Sequence, residues 1–309
     1  MGASAPPGKQ RSWRGPRAWL RIGLALPYGW LLLFLLAPFL IVLRISLADP
    51  IVALPPYTPL FDWAADATHR IYVTLDNYRF VLGDDLYLYT YLNSLQLAAV
   101  STALCLLIGY PMAYGIARAR PANRNLLLML VVLPFWISFL LRVYAWMGLL
   151  GTHGTINGLL LWTGIIDEPL QLLYTEGAIF VGMVYSYLPF MILPLYATLE
   201  RLDPALLEAA SDLGGRPRQV FVDVTLPLSF PGIVAGCLLV FIPAMGEFVI
   251  PALLGGPDSL MIGRVLYDEF FSNRDWPVAA ADAVLLLAIL IAPIGLFQYF
   301  ESRRPEGEL

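Results

Sequence analysis

Six apolar runs, each long enough to cross a bilayer as a helix, constrain this 309-residue chain more than any other feature. They fall at about 24–47, 92–117, 126–149, 177–199, 231–254 and 277–300. A hydrocarbon core takes roughly 20 residues of helix. Inside it every backbone N–H and C=O needs an internal partner, which leaves helices or closed barrels, and runs of this length read as helices. Composition agrees: 59% of residues are hydrophobic and 14% charged, against about 45–50% apolar and about 25% charged in soluble domains. The expectation is an all-α integral membrane protein with six transmembrane helices. It divides into a basic segment 1–23, a membrane domain 24–300 that includes a polar loop at 200–230, and a short tail 301–309.

Charge sets the expected orientation. Lys9, Arg11, Arg14, Arg17 and Arg21 precede the first run, which is too long for a typical signal-peptide core and lacks a convincing cleavage site, so it reads as a retained span. Arg118, Arg120 and Arg124 follow the second run, Arg201, Arg216 and Arg218 follow the fourth, and Arg303 and Arg304 follow the last. The other connections are poor in basic residues. The positive-inside rule then places both termini and the 200–230 loop in the cytoplasm. The opposite connections are acidic: Asp49, Asp62, Asp66, Asp76, Asp84 and Asp85 in 48–91, and Asp258, Asp268, Glu269 and Asp275 in 255–276. Ordinary solvated surface explains most of these acids. They also raise the local concentration of a cationic ligand.

In the polar loop, Asp203 suits an N-cap, Pro204 the first helical position, and Gly214-Gly215 a helix end. About three turns of helix result, with Leu206, Leu207, Ala210 and Leu213 as an apolar stripe. Such a stripe outside a membrane needs a cover: either the chain's own helix ends or another protein.

Inside the spans, two ionisable groups stand out. Glu247 in the fifth run and Arg142 in the third lie at similar depth, in the half away from the polar loop. An unpaired charge near a helix centre costs about 2.5–3.5 kcal/mol on insertion scales. One reading is therefore a structural ion pair, Arg142 with Glu247. The other makes Glu247 a cation-binding carboxylate on a translocation path. Tyr144, Trp146, Tyr185 and Tyr187 cluster at that depth. They are either cation–π walls or an interfacial aromatic belt, with Trp146, Tyr185 and Tyr144 the candidates for the path. Asp282 is expected at the boundary, snorkelling or hydrated. Prolines recur in the spans, notably Pro189, Pro194, Pro243 and Pro251, as suits broken helices lining a path. No phosphate-binding G-x4-G-K-[ST] loop is present, and no catalytic constellation, metal-ligand cluster or nucleic-acid-binding pattern is evident. Cys105 and Cys237 lie inside apolar runs and indicate no disulfide framework.

The loop's spacing, Glu208-Ala-Ala-x3-Gly214-x9-Val224-x-Leu226-Pro227, resembles the signature loop of ABC-importer permeases. Further stretches look like the permease subunits of polyamine importers, those for putrescine above all. They include Leu26-Pro-Tyr-Gly-Trp-Leu, Gly109-Tyr-Pro-Met-Ala, Arg142-Val-Tyr-Ala-Trp-Met-Gly, Tyr185-Ser-Tyr-Leu-Pro-Phe-Met, Val240-Phe-Ile-Pro-Ala-Met-Gly-Glu-Phe-Val-Ile-Pro and Leu254-Gly-Gly-Pro-Asp-Ser-Leu-Met. The resemblance implies a type I importer permease in the bacterial inner membrane, with no catalysis and no cofactor of its own. Its implied partners are a second, homologous permease, two copies of a cytoplasmic ATPase holding ATP and Mg, and a periplasmic polyamine-binding protein. It makes the loop helix a coupling element: Leu206, Leu207 and Leu213 as apolar contacts in the ATPase cleft, Glu208 bonding at its rim, Ala209 and Ala210 permitting close approach, and Gly214 turning the chain out. The alternatives are a permease for another small cationic or amino-acid-like solute, a secondary carrier, and a membrane enzyme. The carrier leaves the loop unexplained, and the enzyme lacks a constellation.

Overall fold

The computed structural model describes residues 25–59, 73–257 and 259–302. The expected basic tails, and Asp62, Asp66 and Asp258, lie outside the described residues. From its N-terminal end the fold runs α1 (Ala25–Ser46), α2 (Asp76–Gly83), α3 (Asp85–Arg118), α4 (Pro121–Trp136), α5 (Phe139–Leu150) and α6 (Thr155–Trp162). It continues through α7 (Glu176–Glu200), α8 (Pro204–Asp212), α9 (Pro217–Met245), α10 (Val249–Leu254), α11 (Ile262–Tyr267) and α12 (Trp276–Ser302). Among the described residues the only extended pairing is an isolated bridge between Pro50 and Tyr57.

The six expected spans are not six straight helices. Among the described residues four helices, α1, α3, α7 and α9, are long and apolar enough to cross a membrane. The run expected at 126–149 is broken: α4 and the α5–α6 segment meet at 90°. Pro134 removes a backbone donor there, α4 ends in a 3-10 turn, and Ile137 is extended. The run expected at 231–254 begins earlier, at the loop itself, and stops at Met245. Gly246, Glu247 and Phe248 interrupt it before α10 begins. The last run is helical over Trp276–Ser302, with Trp276–Ala292 as its shorter apolar part.

The core is the triangle of α3, α7 and α9. In lipid there is little hydrophobic drive between helices, so close packing of small residues takes its place. A Cβ on Gly109 of α3 would lie 2.9 Å from Met191 of α7, and one on Gly236 of α9 would lie 2.7 Å from the same side chain. Met191 is thus wedged between two bare backbones and is fully buried. Gly182 admits Ile250 and Leu254 of α10 in the same manner, which seats the broken end of the fifth run against α7. By contrast α1 packs chiefly on α12. Its end is pinned by buried Asn77, whose Nδ2 donates to the carbonyls of Ser46 (3.0 Å) and Ala48 (2.8 Å).

Candidate functional site

The polar loop folds as its residues imply. The Asp203 carboxylate caps α8 by accepting from Ala205 N (2.9 Å). At the other end Gly215 N donates to Ala210 O (3.1 Å) and Gly214 N to Ser211 O (2.9 Å), the paired bonds of a Schellman stop. Gly214 holds φ at +86°, a conformation a Cβ disfavours. Both ends are therefore closed by local bonds, and α8 is a short, stiff rod.

Its surface is largely open. Glu208 and Ala209 are exposed, Leu206 is half exposed, and Leu213 is 90% exposed, while Leu207 and Ala210 are partly covered. Behind α8 lies a cavity of about 380 Å³ lined by Ala210, Leu213, Gly215, Val220 and Val224, among others. Beyond it Phe221–Thr225 is wound as a π-helix. Phe221 drives edge-on into Tyr110 (5.7 Å) and Tyr114 (6.1 Å) of α3, and the Tyr110 hydroxyl bonds Ser229 Oγ (2.8 Å). On the other side of α8, Arg124 pairs with Glu200 at the end of α7 (2.6 Å). The segments on either side of α8 are thus anchored, Phe221 and Ser229 of α9 to α3, and Glu200 of α7 to Arg124 of α4. The motif's Leu226-Pro227 falls where π winding reverts to α, so the proline's missing donor coincides with a ladder already changing register.

Glu247 sits at the far end of α9, away from α8. It is 8% exposed. Its Oε1 accepts from the backbone N–H groups of Phe248 (3.1 Å), Val249 (2.9 Å) and Ile250 (3.3 Å), and its Oε2 from the Tyr187 hydroxyl. The carboxylate thus closes the helix break by satisfying donors that the break leaves orphaned.

The expected Arg142–Glu247 pair is not formed. The ion pairs among the described residues are Asp76–Arg79, Arg124–Glu200 and Arg264–Asp268. Arg142 is buried with Nε and Nη1 unpartnered, its guanidinium 5.6 Å from the ring centres of both Phe135 and Phe139. The reason is geometric. The bend after Trp136 places Phe135 and Phe139 around Arg142. Phe135 in turn meets Phe190 (5.1 Å), which meets Tyr187 (6.4 Å), so each charged group has its own aromatic neighbours. Glu247 meanwhile finds three donors within three residues of itself, which costs little ordering.

The aromatic candidates also divide. Trp146 and Tyr185 meet edge-on at 5.5 Å and line an apolar cavity of about 370 Å³ with Leu104, Ile108, Val184 and Leu188. Tyr187, two residues or ~200° further around α7, is the ring that touches Glu247. Tyr144 is exposed. The structure thus brings Tyr187 to the acid, not Tyr185, and places Trp146 and Tyr185 together elsewhere.

Asp282, expected to be hydrated, is fully buried. The Tyr91 hydroxyl donates to its Oδ1 and contacts its backbone carbonyl (2.9 Å), while Oδ2 has no partner. One turn earlier on α3, Tyr87 donates to Glu269 Oε1 (3.0 Å). The signal for this pair was present in the sequence as Tyr87 and Tyr91 at i, i+4. The acids they meet are nearly two hundred residues away and cannot be paired by spacing. Among the described residues no group of three or more His, Cys, Asp or Glu is placed to hold a metal ion.

Comparison with known proteins fits this architecture. Residues 105–304 match the family model of the binding-protein-dependent transport system inner membrane component. The spermidine/putrescine transport system permease protein PotB of Escherichia coli (strain K12) is 42% identical, over 85% of this chain and 90% of that protein. PotB of Haemophilus influenzae is 41% identical over 92% and 94%. A crystal structure of a bacterial ABC transporter involved in the import of the acidic polysaccharide alginate contains a chain of the same fold. It has a TM-score of 0.66 at 20% identity and covers 94% of this chain and 97% of that one. With a family model spanning most of its length and a fold to match, this chain belongs to the inner-membrane permease components of binding-protein-dependent ABC transporters: it is a multi-pass transport subunit, not an enzyme.

Proposed function

We propose that this permease carries polyamines, putrescine foremost, from the periplasm to the cytoplasm. It works as one half of a pair with a second, homologous permease, over two copies of a cytoplasmic ATPase that bind ATP and Mg, and receives cargo from a periplasmic polyamine-binding protein. The observation that carries the substrate is the 41–42% identity, over most of the chain, to permeases named for spermidine and putrescine. Support for the coupling comes from α8, a rod capped at both ends whose Leu206 and Leu213 lie open. Each leucine contributes about 1.5–3 kcal/mol if a partner fully covers it. Closure of the ATPase pair would draw on α8, and the Phe221 wedge would pass that movement to α3.

On this reading Glu247 serves the cargo path, with the Tyr187 hydroxyl as the donor that an ammonium group replaces. The bond to an ammonium is charge-assisted and stronger than one to a neutral hydroxyl. The test is uptake of labelled putrescine and spermidine by the assembled transporter in proteoliposomes. ATP-dependent accumulation of either amine is expected, and none of either would sink the reading. A second reading, a permease for another amine-bearing solute, draws on the 26% identity over 75% of the chain to a putative 2-aminoethylphosphonate permease of Salmonella choleraesuis. Uptake of that solute in place of polyamines would favour it.

A further inference from the structure

Asp282 Oδ2 is the only buried side-chain acceptor without a partner among the described residues. An unsatisfied carboxylate oxygen in a membrane interior is expensive, and such groups mark ion or substrate pathways. Its surroundings are ordered as a series. Farthest from α8, Glu269 is held by Tyr87 (3.0 Å) and by Asn273 Nδ2 (3.0 Å). The Asn93 amide donates to Leu260 O (2.9 Å) and Ile262 N donates to Ser94 Oγ (2.8 Å), which ties this segment to α3. One turn along α3, ~6 Å by helical rise, Tyr91 holds Asp282. One turn along α12 from Asp282, Leu286 lies 3.9 Å from where a Cβ on Gly246 would stand, and Gly246 is the neighbour of Glu247, which Tyr187 holds. Three acids, each bonded to a tyrosine hydroxyl, thus descend from the end opposite α8 toward the middle of the bundle.

The three are not alike. Glu269 is half-buried and already accepts on both oxygens. Glu247 accepts four donors, about the capacity of a carboxylate. Asp282 alone keeps a free oxygen. We propose that Asp282, with Tyr91, is an ammonium-binding station for the cargo, lying between Glu269 and Glu247. The proposal rests on the polyamine reading above. A cargo with several ammonium groups on short methylene spacers could then leave one carboxylate only after reaching the next, so that its charges are never all unpaired. In the resting state the tyrosines supply neutral donors. The incoming ammonium takes the vacant Oδ2 of Asp282 first, because no bond has to break there.

The experiment uses the assembled transporter with its binding protein in proteoliposomes, with labelled putrescine and spermidine. Asp282→Asn should lower uptake per folded transporter roughly tenfold or more, the scale of a lost bond to a charged group. It should also change the ratio of spermidine to putrescine carried, with binding-protein affinity unaltered. Asp282→Glu should recover part of the rate. Full uptake by Asp282→Asn overturns the station. So does a fall confined to the amount of folded protein with the rate per molecule kept, which marks a purely structural acid. Tyr91→Phe keeps the carboxylate and removes its neutral competitor, so half-saturation should move to lower cargo concentration; an unchanged or higher value overturns the proposal even if Asp282→Asn fails to fold. Impaired Glu247→Gln beside normal Asp282→Asn removes the station alone. The reverse removes Glu247 from the path and leaves the station standing. A wild type that carries neither amine removes both.

Discussion

The loop helix α8 and the buried acids at the opposite end are built on different principles. Every bond that closes α8 lies within residues 203–215. The acids each add a bond from afar to whatever local donors they have: Tyr187 reaches Glu247 across 60 residues of sequence, Tyr91 reaches Asp282 across 191, and Tyr87 reaches Glu269 across 182. A locally closed element keeps its shape when its partner is absent and offers an exposed face. A cross-linked acid ties helices to one another, and its removal is felt by the whole bundle. Changes in α8 should therefore separate function from stability, and changes at the acids should mix them.

The largest effect expected is on the loop side. Glu208→Lys reverses a charge on the exposed rod and touches no bond of the fold. Uptake by the assembled transporter should fall on the order of a hundredfold, about 3 kcal/mol, with membrane level and thermal stability unchanged. Near-normal uptake at normal level would break the distinction. At the acid end, Glu247→Ala strands three backbone donors and the Tyr187 hydroxyl. At about 1–3 kcal/mol for a buried group left unsatisfied, and with some relaxation, a loss of about 3 kcal/mol in stability is expected, read as a lower midpoint in detergent. Glu247→Gln keeps one carbonyl for the cap and should be milder. Equal midpoints for Glu247→Ala and wild type would show that the break needs no cap.

A smaller effect sharpens the same contrast. Gly214→Ala forces a Cβ into the left-handed region at a cost of about 1–2 kcal/mol. Because that cost falls on the end of α8 alone, uptake should drop several-fold with little change in folded yield. A collapse of yield instead would mean that the loop is not autonomous. The smallest effect is expected at Arg142. If it paired with Glu247, Arg142→Met would strand a carboxylate and lower the folded level. With Glu247 already satisfied and Arg142 lacking partners on Nε and Nη1, the change should shift stability by less than about 1 kcal/mol or raise it slightly. A marked fall in yield would restore the pair.

The legible parts of this protein were those written in neighbouring residues. Asp203, Pro204, Gly214 and Gly215 announce α8 and its ends because capping acts within a few residues. Long apolar runs announce membrane helices. The same runs hid their breaks. Ile137 and Ser138, and Gly246 to Phe248, are too few to interrupt hydrophobicity, yet they end helices because Pro134 removes one backbone donor and the Glu247 carboxylate satisfies three. Equal depth along two helices made Arg142 and Glu247 look like partners. Depth is one coordinate of three, and the side chains found different partners, Phe135 and Phe139 for Arg142 and Tyr187 with three backbone donors for Glu247.

The sequence by itself determined the class of the molecule, since hydropathy, proline placement and caps are short-range properties that the chain carries wherever it goes. Which face each polar group turns to, and what it meets there, was decided only by the tertiary structure. The choice of Tyr187 over Tyr185, of a backbone cap over Arg142, and of a buried over a hydrated Asp282 depends on how bent helices pack. Glycines such as Gly109, Gly182 and Gly236 set that packing by letting side chains of one helix press onto the bare backbone of another. Close packing of this kind is a property of pairs of surfaces, and it exists only once both surfaces have met.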